Sequence, residues 1–273
     1  YLILIQKKAK LNYYQRKSKS QPHHFINHLL NGKVMRPKIL FFIGSLRSGG
    51  KERRLMELLR YLKLSNKFDL LVLLAKKEIH YQEFYNLNIP YKVLGKSPFR
   101  LKIFYQIHEV CSEYKPDLIH VWGRMQVLYT LPAAVLNQVP IVNSQITGAP
   151  ARLPKFSLLN IIDRLNFKFS EVVLANSQAG INSYYPPQNK CKVIYNGMNL
   201  ARFEGLPSVD EVKSKYDITT PYAVIMVASF TAYKNYDLFF RVAEQISSTR
   251  TDITFIGVGG GDKDNAEQDM YKA

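Results

Sequence analysis

The residues with the clearest chemical potential are a glycine pair. Gly49 and Gly50 come shortly after the apolar run 39–43 and stand where a helical apolar period starts, at Lys51. The first N–H groups of a helix lack partners inside the helix and lie at the positive end of its dipole. Glycines leave room for an anion to approach those groups. The pair therefore indicates a phosphate site, with a plain tight turn as the alternative.

Other polar or aromatic residues stand at the ends of neighbouring predicted strands. Trp122 ends the run 118–122, and Thr147 follows the run 141–146. In a parallel sheet, ligands bind beyond the carboxyl ends of the strands. If these runs are parallel strands, the glycine turn and both of these segments share one cleft.

The elements that must position these residues alternate between strand and helix. Short apolar runs predict strands, and apolar residues at a period of 3.6 predict helices. The predicted strands are residues 39–43, 69–75, 91–94, 118–122, 141–146, 171–176, 192–195, 222–230 and 253–258. The predicted helices are one starting at Lys51, a short one capped by Ser177, and those at residues 99–114, 125–137, 155–169 and about 239–246. This order predicts an α/β fold with a parallel sheet covered on both faces, then a connection at 198–221 and a second unit too short for a complete sheet.

The chain is strongly basic, with 38 Lys and Arg against 21 Asp and Glu in 273 residues and a formal net charge of +17. Residues 1–36 carry eight of these bases and no acid. Residues 1–34 are therefore predicted to be a basic, mobile extension. Such a charge suits nucleic acid, an anionic membrane surface or a phosphorylated substrate. Because no nucleic-acid binding module is recognisable, we expect no nucleic-acid partner.

Compartment signals are few. No apolar run reaches the ~18 residues that a membrane span needs, and no charged segment precedes the first apolar run as in a signal peptide. Cys111 and Cys191 lie 80 positions apart, which indicates neither a disulfide framework nor a zinc site. We expect a cytoplasmic protein, peripheral at the inner face of the plasma membrane if its basic surface meets lipid.

The predicted helix at 155–169 is rich in Phe and Leu and is flanked by basic residues. These are Arg152, Lys155, Arg164 and Lys168. We expect its apolar face to pack on the sheet. The alternative is that the basic flank docks this helix on an anionic membrane, with binding that weakens as salt rises.

Six short motifs occur in one order along the chain. They are Gly49 to Glu52, Pro116 to His120, Val173 to Ser177, Val193 to Gly197 with Phe203, Val227 to Asn235, and Phe255 to Gly259. In this order, and on these strands and loops, they resemble the GT4 family of retaining nucleotide-sugar glycosyltransferases of the GT-B fold, especially bacterial polysaccharide and lipopolysaccharide enzymes. The resemblance runs from about Met35 to Gly261.

The resemblance implies two Rossmann-like domains: residues 35–197 on the acceptor side, and 198–273 as an incomplete nucleotide-sugar-binding domain. It implies a nucleotide sugar as donor substrate and no metal or other cofactor. The donor-binding residues would be Gly49, Gly50, Lys234, Gly257 and Gly259. Lys234 and His120 would be the catalytic residues, and Trp122, Gly123, Arg124 and Thr147 the acceptor-side candidates.

The chain also departs from the family pattern. Ser229 stands where the family often has Arg, Asn199 where Asp is common, and Trp122 where a second His often follows. The family's pair of glutamates beyond the last glycine strand is not found before Ala273. The main hypothesis is sugar transfer to a surface-glycan or lipid-linked acceptor with retention. The alternatives are an inactive truncated remnant that binds glycan or membrane, and a basic protein that binds nucleic acid or a membrane surface.

Overall fold

The computed structural model describes residues 36–95, 101–150, 154 and 156–260 of the chain. It divides into two compact units, one ending at Met198 and the other beginning at Asn199. The predicted basic extension at residues 1–34 lies outside the described residues. Each unit is described separately below.

The first unit alternates strands and helices. Its strands are Lys38–Ile43 (β1), Asp69–Leu74 (β2), Tyr91–Val93 (β3), Leu118–Trp122 (β4), Ile141–Ile146 (β5), Val172–Ala175 (β6) and Cys191–Val193 (β7). Its helices are Gly50–Ser65 (α1), Glu83–Asn86 (α2), Lys102–Tyr114 (α3), Arg124–Leu136 (α4), Leu158–Phe169 (α5) and Gln178–Tyr184 (α6), with a 3-10 turn at Gln188–Lys190.

The seven strands form one parallel sheet in the order β3-β2-β1-β4-β5-β6-β7. The predicted α/β fold with a parallel sheet is therefore confirmed. From β1 the chain moves outward through β2 to β3, and from β4 it moves the other way. This makes the boundary between β1 and β4 the topological switch point, where a crevice opens at the carboxyl ends of the strands. Ile43 and Trp122 lie side by side at that end.

The core lies on both faces of the sheet because strands such as β1 are apolar at every position after the first. Ile39 and Phe41 pack with α1 on one face, whereas Leu40 and Phe42 pack with α3 and α4 on the other. All four side chains are fully buried. Burying each of them contributes roughly 1.5–3 kcal/mol, which is why a continuous apolar run is stable only as a central strand.

Helix α5 packs on the sheet only in part as the sequence suggests. The expectation was that its apolar face would lie on the sheet, but Ile161, Leu165 and Phe169 are exposed. The buried face instead contains Asp163 and Asn166 beside apolar neighbours. The expectation holds for Phe167, which packs with Ile146 and Val173 of the sheet. The outer apolar residues stay exposed because the buried side is shared with these polar side chains, whose hydrogen-bond partners on α4 and β5 satisfy their burial.

The second unit contains two parallel strands, Tyr222–Val227 (β8) and Ile253–Val258 (β9), joined through helix Tyr236–Ser247 (α8). Residues 198–221, predicted to be a connection, contain a 3-10 turn at Leu200–Phe203 and a helix at Val209–Lys215 (α7). Ser208 and Glu211 form a capping box at the start of α7, which is why the helix begins there.

Candidate active site

The segment that follows β2 holds the glycine turn after β1 in place. Leu46 pairs with Ile79, which continues the parallel pairing beyond the end of the sheet. The Ser48 N–H donates to Nδ1 of His80 at 3.3 Å. The Gly49 N–H donates to the Tyr81 hydroxyl at 3.2 Å. The turn is therefore a positioned structure and not a freely moving loop.

Helix α1 begins at this turn with space in front of it. Gly49 is the N-cap in extended backbone and contributes no side-chain cap. A Cβ placed on Gly50 would meet no atom within 4 Å among the described residues. A Cβ on Gly49 would lie 2.3 Å from the Glu52 carboxylate, which also pairs with Lys51 at 3.2 Å. The start of α1 thus has open space at Gly50. The nearby carboxylate of Glu52 is neutralised by Lys51.

The end of β4 carries a stack of rings next to the turn. The ring centroids of His120 and Trp122 lie 5.0 Å apart, and Phe41 lies 5.3 Å from His120. Arg54 of α1 lies over the Trp122 ring at 5.3 Å. The buried Trp122 Nε1 has no hydrogen-bond partner within the described part of the chain. Through Arg54, this stack connects helix α1 with the end of β4 at the switch point of the sheet.

His120 is fully buried inside this stack. Its Nε2 lies 2.8 Å from the Ser144 hydroxyl on the adjacent strand. Burial, with a further contribution from the positive charge of Arg54, lowers the pKa of His120 to about 3. The imidazole is therefore neutral at physiological pH and is held in one orientation by Ser144.

Gly123 turns the chain from β4 into α4, and Arg124 follows as the first residue of that helix. Gly123 has a φ of 127°, which favours glycine. Arg124 makes a bidentate ion pair with Asp163, with Nε–Oδ1 at 2.6 Å and Nη2–Oδ2 at 2.8 Å. The hydrogen bond to Asp163 is the main reason that the pKa of Arg124 is raised. Its charge is thus already balanced within the first unit.

Thr147 lies at the carboxyl end of β5 and is exposed. Its carbonyl oxygen accepts a hydrogen bond from Asn176 Nδ2 at 3.1 Å. A Cβ on Gly180 of α6 would lie 2.8 Å from Ile146 and 3.2 Å from the Gly148 carbonyl oxygen. Glycine at 180 therefore lets α6 approach the loop after β5 and fixes its course.

In the second unit, Lys234 lies in the loop after β8. It ends the 3-10 turn Ala232–Lys234 and is exposed. Asn235, with a φ of 59°, accepts from the Leu238 N–H and so caps α8 directly after the lysine. The rigid cap fixes the backbone that carries the Lys234 side chain.

The two glycines at the end of β9 pack against their surroundings. A Cβ on Gly259 would lie 2.0 Å from the Ala228 carbonyl oxygen, so no larger residue fits. A Cβ on Gly257 would lie 3.1 Å from Phe240 and 3.3 Å from Tyr236. The Tyr236 hydroxyl donates toward the carbonyl oxygens of Ala228 at 3.0 Å and Val258 at 2.8 Å. This buried tyrosine joins the ends of β8 and β9.

No group of three metal-ligating His, Cys, Asp or Glu side chains occurs in the part of the chain that the structure describes. Among the same residues, no helix is long and apolar enough to cross a bilayer.

The chain matches a sequence model of Glycosyltransferase Family 4 over residues 48–202, which is more than half of its length. The chain belongs to Glycosyltransferase Family 4. The matched region runs from the glycine turn through all the later strands of the first sheet. A search of curated proteins found no significant match.

Solved structures show the same fold. HepE (Alr3699) of Anabaena, in complex with UDP and glucose, has a TM-score of 0.68 at 20% identity over 86% of this chain and 63% of its own. A glycosyltransferase from Rickettsia africae has a TM-score of 0.62 at 19% identity over 82% and 68%. MnaA of S. aureus in complex with UDP has a TM-score of 0.55 at 16% identity over 86% and 65%. The fold is GT-B, and the chain spans about three fifths of the length of HepE.

The predicted site residues lie in two groups, one in each unit. Gly49, Gly50, Trp122, Gly123 and Arg124 lie at the carboxyl edge of the first sheet, at the switch point or directly beside it. Thr147 lies at the same edge, one strand further along. Lys234, Gly257 and Gly259 lie at the carboxyl ends of β8 and β9 in the second unit. Their roles stay predictions.

Sequence reasoning missed the residues that hold these groups in place. His80 and Tyr81 contact the glycine turn, and Asp163 binds Arg124. Tyr81 and Gly49 are 32 positions apart, so no local pattern connects them. A signal did exist for Asp163, since an acidic residue inside a Phe- and Leu-rich helix requires a partner when it is buried.

Proposed function

We propose that this protein transfers a sugar from a nucleotide-sugar donor to a surface-glycan or lipid-linked acceptor with retention of configuration. The observation that carries the proposal is the open start of α1 at Gly50, located at the switch point of the sheet in a Family 4 chain. HepE, which shares the fold, was solved in complex with UDP-glucose. A cytoplasmic location, peripheral to the membrane, is part of the proposal because a lipid-linked acceptor lies at a bilayer.

Each unit would offer the donor a different kind of contact, backbone N–H groups in the first unit and a side chain in the second. Gly49 and Gly50 would leave room for the donor phosphates or the transferred sugar next to the N–H groups of α1. Lys234 would lie against the diphosphate. As the glycosidic bond breaks, the leaving nucleoside diphosphate gains negative charge, and a fixed ammonium stabilises that charge. A basic side chain in this role would replace the metal ion that other transferases use.

The acceptor would meet the edge formed by Trp122, Gly123, Arg124 and Thr147. Because Asp163 balances Arg124, this arginine would contribute shape and hydrogen bonding more than net charge. His120 is buried behind Trp122, so any part it plays in catalysis would act by fixing the ring stack. The alternative to an active enzyme is a catalytically inactive remnant that binds glycan or a membrane surface without turnover.

Donor binding and turnover test the proposal separately. Titration calorimetry with UDP and UDP-glucose measures binding, and release of UDP in the presence of a lipid-linked oligosaccharide extract measures transfer. Proton NMR of the new linkage shows whether its anomeric configuration equals that of the donor. We expect binding that Gly50→Val abolishes, and transfer with retention. Binding without UDP release would support the inactive alternative, and absence of binding to UDP-, GDP- and ADP-sugars would overturn the proposal.

A further inference from the structure

Helix α5 presents an apolar face to the outside of the first unit. Leu158, Ile161, Leu165 and Phe169 follow one another at intervals of three or four residues, which places them on one side of a helix. Their exposed fractions are 71%, 52%, 40% and 45%. We call these four residues the α5 apolar face. Phe156, directly before the helix, is 92% exposed. Contiguous exposure of this kind marks an interaction surface more often than a scattered leucine does.

The opposite side of α5 is fixed by polar contacts. Besides the Arg124 ion pair, Asp163 accepts a hydrogen bond from Gln145 Nε2 at 2.6 Å. Asn166 Nδ2 donates to the Arg124 carbonyl oxygen at 2.9 Å and to Gln145 Oε1 at 2.8 Å. Turning the helix to bury its leucines would leave these polar groups without partners, at several kcal/mol. The α5 apolar face is therefore held outward.

Basic side chains line this face. Arg164 and Lys168 are exposed, and their spacing of four places them on one side of the helix beside Ile161 and Leu165. The Lys168 ammonium lies 5.7 Å from the centre of the Phe169 ring. The acid of the helix, Asp163, is buried and paired. The outer surface of α5 thus combines apolar area with positive charge and no exposed carboxylate, which is the composition of a helix lying on an anionic bilayer.

Helix α5 also runs from the carboxyl ends of the strands back to their amino ends. It starts after the loop that follows β5, so Leu158 lies toward the edge that carries Trp122 and Thr147. It ends at Phe169, just before the start of β6. A membrane contacting α5 would therefore be close to the edge where the acceptor is proposed to bind.

We propose that the α5 apolar face, together with Arg164 and Lys168, docks on an anionic lipid bilayer. The link to a lipid-linked acceptor rests on the proposed function, whereas the docking itself does not. A second copy of the chain is a weaker occupant, because a two-fold contact through this face would bring Arg164 and Lys168 against their own copies. An anionic lipid surface neutralises both charges while the leucines enter the headgroup region.

Flotation with vesicles tests the proposal on the whole chain without any nucleotide. We expect binding to vesicles of phosphatidylcholine with 30% phosphatidylglycerol, weak binding to phosphatidylcholine alone, and loss of binding as salt rises toward 0.5 M. The double variant Arg164→Gln/Lys168→Gln should lower the partition coefficient about tenfold or more. The double variant Ile161→Gln/Leu165→Gln should lower it at least as far, because it removes the apolar contact while the charge is unchanged.

Matched controls lie on α1, which packs on the opposite face of the sheet, and directly after its C-terminal cap at Asn66. Lys63→Gln/Lys67→Gln removes the same charge, and Tyr61→Gln/Leu64→Gln removes exposed apolar side chains. Both controls should bind vesicles as the unmodified chain does. Equal loss in the controls, or no vesicle binding by the unmodified chain, would overturn the proposal. So would a soluble dimer, seen by light scattering, that only the α5 variants dissociate. Because vesicle binding needs no donor, failed sugar transfer would leave this result unchanged.

Discussion

Tyr81 and Gly49 are joined by two hydrogen bonds through a single hydroxyl. The Tyr81 oxygen accepts from the Gly49 N–H at 3.2 Å and donates to the Gly49 carbonyl oxygen at 3.0 Å. Arg53 lies over the Tyr81 ring at 4.6 Å and pairs with Glu83 at 2.7 Å. The extended backbone of Gly49, which sets the direction of α1, is therefore held by a residue that follows β2.

Tyr81→Phe should loosen the glycine turn. Loss of the two hydrogen bonds should lower the free energy of unfolding by about 1 kcal/mol and weaken donor binding severalfold, because the start of α1 is no longer fixed. Urea unfolding and UDP-glucose titration measure the two effects. Tyr85→Phe, on an exposed tyrosine of α2, is the matched control. Donor affinity unchanged in Tyr81→Phe would mean that the hydroxyl has only a structural role.

Gly50→Val should abolish donor binding while the first unit stays folded. Gly50 has helical backbone and open space around its Cβ position, so valine strains no turn and displaces no neighbour. Its branched side chain would stand where a phosphate approaches. Calorimetry with UDP and a thermal melt report the two properties, and Gly50→Ala should give an intermediate affinity. Full affinity in the valine variant would reduce the glycine pair to a turn.

In a chain that spans the full length of its relatives, Lys234→Ala should lower turnover by about 10²-fold or more, as expected when one charge donor to the leaving group is lost. Lys234→Arg should restore part of the rate, because guanidinium keeps the charge but has a different shape. Lys215→Ala, on an exposed lysine of α7, controls for general loss of charge. The measurement is UDP release under saturating donor. Full turnover in Lys234→Ala would remove this lysine from the site.

Stability should fall below neutral pH because of His120. In the folded state the pKa of His120 is lowered to about 3, below the ordinary histidine value of 6.5. Between these values the unfolded chain binds a proton that the folded chain does not, so the stabilisation present above pH 6.5 is lost as pH falls. This loss amounts to about 2 kcal/mol between pH 7 and pH 5.

Urea unfolding at the two pH values, compared between the unmodified chain and His120→Gln, isolates this contribution. Glutamine keeps a hydrogen-bonding group near Ser144 but does not titrate, so its pH dependence should be smaller. His108→Gln, at a half-buried histidine of α3 whose ring lies 3.3 Å from Asn137, controls for replacing a histidine outside the ring stack. Identical pH dependence in all three would show that His120 protonates freely. Undiminished sugar transfer by His120→Gln would argue against its predicted catalytic role.

The sequence was informative for the strands of the first sheet. The strands β4 and β5 were predicted with the bounds that the structure has. Residues 118–122 are almost wholly apolar, whereas 141–146 have apolar residues only at their two ends. The position of the glycine turn at the carboxyl ends of the strands followed from the predicted parallel sheet, whereas its place at the switch point came from the strand order. Local sequence patterns are therefore sufficient to locate a strand when the segment can be placed only within the sheet.

Prediction failed where a contact between distant residues decides the outcome. The period of α5 showed that the helix has two faces but not which one is buried, and the choice depends on Asp163 meeting Arg124 of α4. The hydroxyl of Tyr81 reaches Gly49 only because two loops continue the pairing of β1 and β2. Helix α7 is different, since the spacing of Ser208 and Glu211 is a local signal that could have been recognised.

The pairing of Leu46 with Ile79 has a consequence for how this protein can change during evolution. Segment 75–81 spans a fixed distance from the end of β2 to the glycine turn, and a one-residue insertion there would place different side chains opposite Ser48 and Gly49. Its length is therefore constrained together with the turn itself. Descendants of this chain should vary in length far more readily at the exposed residues 204–208 than in this segment.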